Sequence, residues 1–325
     1  MLECAGASDH HRAIFNRFAL EFAVAMHQSL HFDRAEYADR RTGVCATLKE
    51  AGLDGLLIFK QESMYYLTGY DTFGFAFFQC LVLTADGRFV LLTRSADQRQ
   101  AAFTSIVDDI RVWVDSADVN PALDLRELLN ELGLAGSRLG FEGDGYGLSA
   151  FNGQRLLAAL DSFATLEDAS PLVSRVRLIK SNAEIAYVRK AAELCDAAWQ
   201  AAIDGTRPGV DEADILADMH AVVYRGGGDG AANEFIIGSG PGALMCRYYT
   251  GRRKLQPTDQ LTLEFAGSYR HYHAAMMQTI GIGKPPARQH DLWQAGTDAL
   301  LACEAALRPG TTIGDVFDAH VRVLD

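Results

Sequence analysis

The stretch that decides the fold runs Leu263-Glu264-Phe265-Ala266-Gly267-Ser268-Tyr269, then, after Arg270 and His271, Tyr272-His273-Ala274-Ala275-Met276-Met277-Gln278-Thr279. Gln260–Phe265 and Met276–Ile282 carry the apolar and β-branched text of strands. His271 and His273 flank Tyr272, so on a strand they share one face. A single carboxylate, Glu264, sits inside this apolar text. A buried carboxylate is usually paired or chemically active, and Arg252 or Arg253 would serve as a structural partner.

Working backwards, Phe235–Gly240 is another strand, preceded by Gly226-Gly227-Gly228. That triplet ends a helix capped by Asp211 and running through Tyr224. Glu184–Ile203 is a long helix with a small-residue face of Ala191, Ala192, Leu194, Cys195 and Ala198. Ser181 and Glu184 stand at capping-box spacing at its start. Further upstream, helices and short apolar strands alternate. Phe32–Ala51 and Leu123–Leu134 read as helices. Gly55–Phe59, Val112–Val114 and Leu139–Glu142 read as strands, and Asp86-Gly87 turns a hairpin between Cys80–Thr84 and Phe89–Leu92. The expected organisation is an extension over 1–31, an α/β domain over 32–165 and a second domain over 170–325.

Five ordered stretches resemble the creatinase/aminopeptidase P family, the M24 or pita-bread group. They are Arg177-Leu178-Ile179-Lys180-Ser181 with Glu184-Ile185; Gly205–Glu212; Phe235–Ala243; the Leu263–Thr279 text with Gly283; and Leu307–Thr312. In the first domain, Tyr65-Tyr66-Leu67-Thr68-Gly69-Tyr70 resembles a further family segment. The resemblance implies an α/β fold: a creatinase-type N-terminal α/β domain followed by a pita-bread α+β domain. It also implies a C–N bond hydrolase, homodimeric when full length, with a small-molecule or short-peptide substrate. Family ligands beyond the Pro309-Gly310 helix have no counterpart before Asp325, so the pita-bread domain is expected to be truncated here.

The departures from the family pattern shape the functional expectation. Metal-dependent members hold two divalent ions, beginning with two Asp on the hairpin. The first Asp position is Glu264 here, and the second is Ala275, whose methyl cannot ligate a cation. A family His position reads Arg247. The resemblance then points to metal-free members such as creatinase or ectoine hydrolase, with no cofactor. A metallopeptidase holding two Mn, Co or Zn ions, of the Xaa-Pro aminopeptidase or dipeptidase kind, is the alternative; a catalytically inactive binder is the third. The catalytic candidates are Glu264, as nucleophile or base, and His273, as proton carrier. The substrate-binding candidates are Arg247, His271 and Tyr272, with Phe73 and Phe75 as an aromatic lid. A basic surface loop around Arg247, a solvent-facing histidine pair and plain aromatic packing are the competing readings.

Bulk properties narrow the partners. A net charge of -12 and a pI of 5.2 argue against nucleic acid. No apolar run is long enough for a membrane span. Six scattered cysteines suit packing in a reducing compartment, which makes the cytoplasm the expected setting. Ile14, Phe15, Phe18, Phe22 and Met26 mark an amphipathic extension rather than a signal peptide.

Overall fold

The computed structural model describes residues 30–245 and 252–325. The amphipathic stretch around Phe18, Arg247 and Cys246 lie outside the described residues. The chain forms two compact units, Met1–Lys180 and Ser181–Asp325.

In the first unit the elements are α1 (Arg34–Glu50), β1 (Gly55–Ile58), α2 (Gln61–Thr68), β2 (Cys80–Thr84), β3 (Phe89–Arg94), α3 (Gln98–Thr104), β4 (Asp109–Trp113), α4 (Pro121–Glu131), β5 (Arg138–Phe141), α5 (Ala150–Leu160), β6 (Thr165–Asp168) and α6 (Pro171–Val176). The sheet order is β4-β3-β2-β1-β5-β6. β2 runs antiparallel to both β1 and β3, while β4, β5 and β6 join in parallel. Sequence alternation along the strands supplies two cores. Leu56, Ile58, Leu81 and Leu83 face α1, and Leu57, Val82, Leu92 and Leu139 face α4 and α5. Asp33 caps α1 and Asn120 caps α4, as short polar residues do at helix starts.

A buried carboxylate ties this unit together. Glu142, just past β5, is fully buried. It accepts hydrogen bonds from the Phe59 and Lys60 backbone N–H groups at the start of α2 and from the Ser63 hydroxyl. Burial outweighs these bonds and pushes its pKa up to about 7. The neighbouring Lys60 ammonium donates to the Ser170 carbonyl and pairs with Asp144.

In the second unit, α7 (Asn182–Gly205), α8 (Glu212–Arg225), β7 (Ile236–Ser239), β8 (Gln260–Tyr269), β9 (Tyr272–Gly281), α9 (Ala287–Ala306) and α10 (Ile313–Leu324) follow in order. The three strands form an antiparallel sheet, β7-β8-β9. The capping box of Ser181 and Glu184 starts α7 as the sequence predicts. Leu261, Leu263 and Phe265 join Cys195, Ala198, Ile215 and Met219 in one core. Beside β9, α9 borders a groove of about 690 Å³ lined by Met277, Thr279, Trp293 and Leu300. Among the described residues no helix is long and apolar enough to cross a membrane.

Glu142 makes stability depend on pH. An acid whose folded pKa lies above its unfolded value takes protons on folding, so stability falls as pH rises from about 4.5 to about 7. Above that window the cost levels off at roughly 3 kcal/mol. Glu142→Gln keeps an acceptor for the α2 backbone and removes the buried charge. Urea unfolding at pH 7.5 should show the variant more stable than the parent, with a flatter pH profile. Lower stability at pH 7.5 would mean that the ionic hydrogen bonds to α2 outweigh burial.

Candidate active site

The register of β8 and β9 divides their side chains between two faces. Odd residues of β8 turn into the core. On the opposite face three cross-strand pairs follow one another: Glu264 with Met277, Ala266 with Ala275, and Ser268 with His273. Met277 is 63% exposed. Ala275 and His273 are exposed too, and Glu264 is half-buried.

Gly267 explains why one face is closed and the other open. A Cβ there would collide with the Ala191 carbonyl oxygen and the Cys195 nitrogen. Helix α7 therefore lies directly on the strand backbone, using the small-residue stripe seen in the sequence, while Glu264 points to the other side.

The Glu264 carboxylate has no ion-pair or hydrogen-bond partner among the described residues. Of its expected structural partners, Arg253 is engaged elsewhere. Its guanidinium donates to the Ser239 hydroxyl at 2.7 Å and pairs with Asp259, whose pKa it lowers. The backbone N–H of Arg252 donates to Glu212.

His273 is held at both ring nitrogens. Nδ1 lies 3.0 Å from the His271 carbonyl, and Nε2 accepts the Ala232 N–H at 3.0 Å. These contacts fix the neutral tautomer with the proton on Nδ1. The ring keeps solvent exposure, yet desolvation by the protein atoms around it, ahead of the nearby His271, lowers its pKa. The lone pair needed to carry a proton is already used, which fits a positioning role better than the expected shuttle.

His271 does not share a strand face with His273. Arg270 and His271 form the two-residue turn of the hairpin, with φ of 53° and 64°. A tight hairpin of this twist requires positive φ at both centres. The His271 N–H donates to the Asp229 carboxylate at 3.0 Å. Tyr272 faces the helix side. Its hydroxyl donates to Glu184 at 2.8 Å, and its ring lies against Tyr187. The strand alternation that puts His273 on the open face necessarily puts Tyr272 on the closed one. In the first unit, Phe73 is 87% exposed and Phe75 38% exposed; Phe75 lines a small pocket with Lys60 and Asp144.

Two carboxylates escape a reading by motif alone. Glu212 is buried and accepts from the backbone N–H of Ser239 and of Arg252. It thereby ties the end of β7 to Arg252. Asp229 secures the hairpin turn. Glu212 follows Pro208-Gly209 and the Asp211 cap, so its sequence signal is that of a helix start. Asp229 follows the Gly226–Gly228 run and carries no signal beyond a loop.

No three His, Cys, Asp or Glu side chains converge on a metal position among the described residues. The hairpin offers one carboxylate where a two-metal site needs oxygen donors from several elements. The donors among the described residues do not make up a metal pair.

The fold and the hairpin define an M24-type hydrolase, and the chain belongs to that family. Residues 186–325 match Metallopeptidase family M24, and residues 40–179 match the Creatinase/Prolidase N-terminal domain. An uncharacterized hydrolase/peptidase of Sinorhizobium fredii is 30% identical over 294 residues, covering 87% of this chain and 75% of the relative. The ectoine hydrolase of Halomonas elongata is 29% identical, covering 91% and 78%. Among solved structures, dipeptidase PepE from Mycobacterium ulcerans superposes with a TM-score of 0.75 at 28% identity, covering 90% of this chain and 77% of that one.

The turn offers a direct test of what His271 does. An L-residue in the left-handed region costs about 1 kcal/mol that glycine does not. His271→Gly is expected to raise the melting temperature. If turnover survives, His271 serves the turn; a fall in turnover despite a more stable fold assigns its side chain to substrate.

Proposed function

We propose that this protein hydrolyses a C–N bond in a small amidine- or guanidino-type substrate without a metal pair, with Glu264 as the acting carboxylate. The observation that carries this reading is the Glu264 side chain itself. It occupies the open face without a counter-ion among the described residues, beside Ala275 at the position of the second donor. A carboxylate so placed can add to an electrophilic amidine carbon, or take the proton from a water that does. In the water route the proton that Glu264 takes is passed to the nitrogen as the C–N bond breaks, and the water oxygen stays on the carbon. In the direct route the nitrogen leaves with a proton from water, and a water then hydrolyses the adduct and frees the carboxylate. The likeness to an enzyme named ectoine hydrolase supports this direction.

The remaining parts of the proposal follow the same logic. His273 sets the end of the site and holds the 229–232 loop to the hairpin through its two backbone contacts. Arg247 is proposed as a clamp for a substrate carboxylate, and Phe73 and Phe75 as a lid supplied across a homodimer. The cytoplasm is the proposed setting. A second reading, a metal-dependent dipeptidase, is favoured by the likeness to PepE.

Glu264→Gln separates chemistry from shape. Turnover of an amidine substrate such as ectoine should fall by on the order of a hundred-fold or more, with an unchanged melting temperature. Metal analysis of the dialysed protein should find well under one ion per chain. Near-normal turnover in the variant removes Glu264 from the chemistry. About two tightly held Mn, Co or Zn ions per chain would establish the dipeptidase reading instead.

A further inference from the structure

The three outward pairs of the hairpin differ in height. Glu264 and Met277 form one raised row, and at the other end the exposed His273 stands opposite the buried Ser268. Between them, Ala266 faces Ala275 with nothing larger than two methyl groups. Pairs two residues apart along a strand lie about 7 Å apart. The outer rows are therefore roughly 14 Å apart, backbone to backbone. Directly opposed residues have Cβ atoms only about 5 Å apart, so the two methyls make a continuous flat bed.

We propose that the Ala266–Ala275 pair is the specificity element of this face, a methyl bed that admits a planar amidinium or guanidinium group and excludes bulkier centres. The inference rests on the function proposed above and names how its substrate is selected. Three features point to a flat cation. The bed has no hydrogen-bonding group, so it favours the face of a planar group over its polar edge. One edge of the slot carries the Glu264 carboxylate, which can accept two parallel N–H bonds from an amidinium edge. Beside it stands Met277, a flexible and polarisable thioether that adapts to an apolar substituent. The opposite end is closed by His273, whose ring cannot swing aside without breaking its bonds to Ala232 and His271. The slot is thus bounded by a charge at one end and a fixed ring at the other.

The test is a binding panel on the full chain. Acetamidinium and the bulkier benzamidinium are titrated calorimetrically into the parent and into Ala275→Val, Ala275→Phe and Glu264→Gln. Residue 275 is exposed, so melting temperatures should hold, and the valine variant covers the case in which phenylalanine disturbs folding. The proposal expects the parent to bind acetamidinium more tightly than benzamidinium. Valine should weaken both ligands several-fold, and phenylalanine at least ten-fold. Unchanged affinities in both Ala275 variants overturn the methyl bed. If those variants bind normally while Glu264→Gln loses binding, the bed fails and the carboxylate reading stands. If the Ala275 variants lose binding while Glu264→Gln retains it, the bed stands and the role of Glu264 falls.

Discussion

Helix α7 can lie on strand β8 only because residue 267 has no side chain. The Ala191 carbonyl and the Cys195 nitrogen occupy the space that a Cβ would need. This contact decides which side of the hairpin is covered. With α7 fixed there, Leu263 and Phe265 are sealed in the core, and alternation sends Glu264 to the other side. The same contact brings Glu184 to the Tyr272 hydroxyl. One missing methyl group thus sets the position of the Glu264 carboxylate, the turn of Tyr272 toward the helix and the exposure of Ala275.

Around that contact the second unit uses buried carboxylates as ties between segments. Glu212 joins the start of α8 to β7 and to Arg252. Asp259 and Arg253 join the approach to β8 with Ser239. Each tie satisfies backbone or charged groups that would be costly to bury alone. Glu264 is the exception, since it ties nothing among the described residues. A side chain left out of the structural network is available for chemistry, and the ordinary cost of such a group is evaded by its access to water.

The first unit shows the same economy in a different setting. Glu142 takes the N–H groups of Phe59 and Lys60 just ahead of α2, where a carboxylate also meets the favourable end of the helix. It does so in full burial, and desolvation wins over those bonds. Cys80 feels the same environment, its thiol pushed well up by burial first and by the nearby Glu142 second.

The sequence alone determined the fold class and the family, because both rest on local and ordered features. Strand alternation, the Asp86-Gly87 turn and the capping box at Ser181 are short-range matters settled within a few residues. The replacement of a family carboxylate by Ala275 was equally legible, since it is an identity at a counted position. What the sequence could not reach were the partners. That Arg253 belongs to Asp259 and not to Glu264 depends on how a loop meets a strand. The two-residue turn at Arg270 and His271 has no glycine to announce it, so His271 looked like strand and like a companion of His273. Both nitrogens of His273 are taken by backbone groups, one from a loop some forty residues upstream. Long-range packing alone decides such contacts, because a hydrogen bond depends on where two atoms meet in space and not on how far apart they lie along the chain.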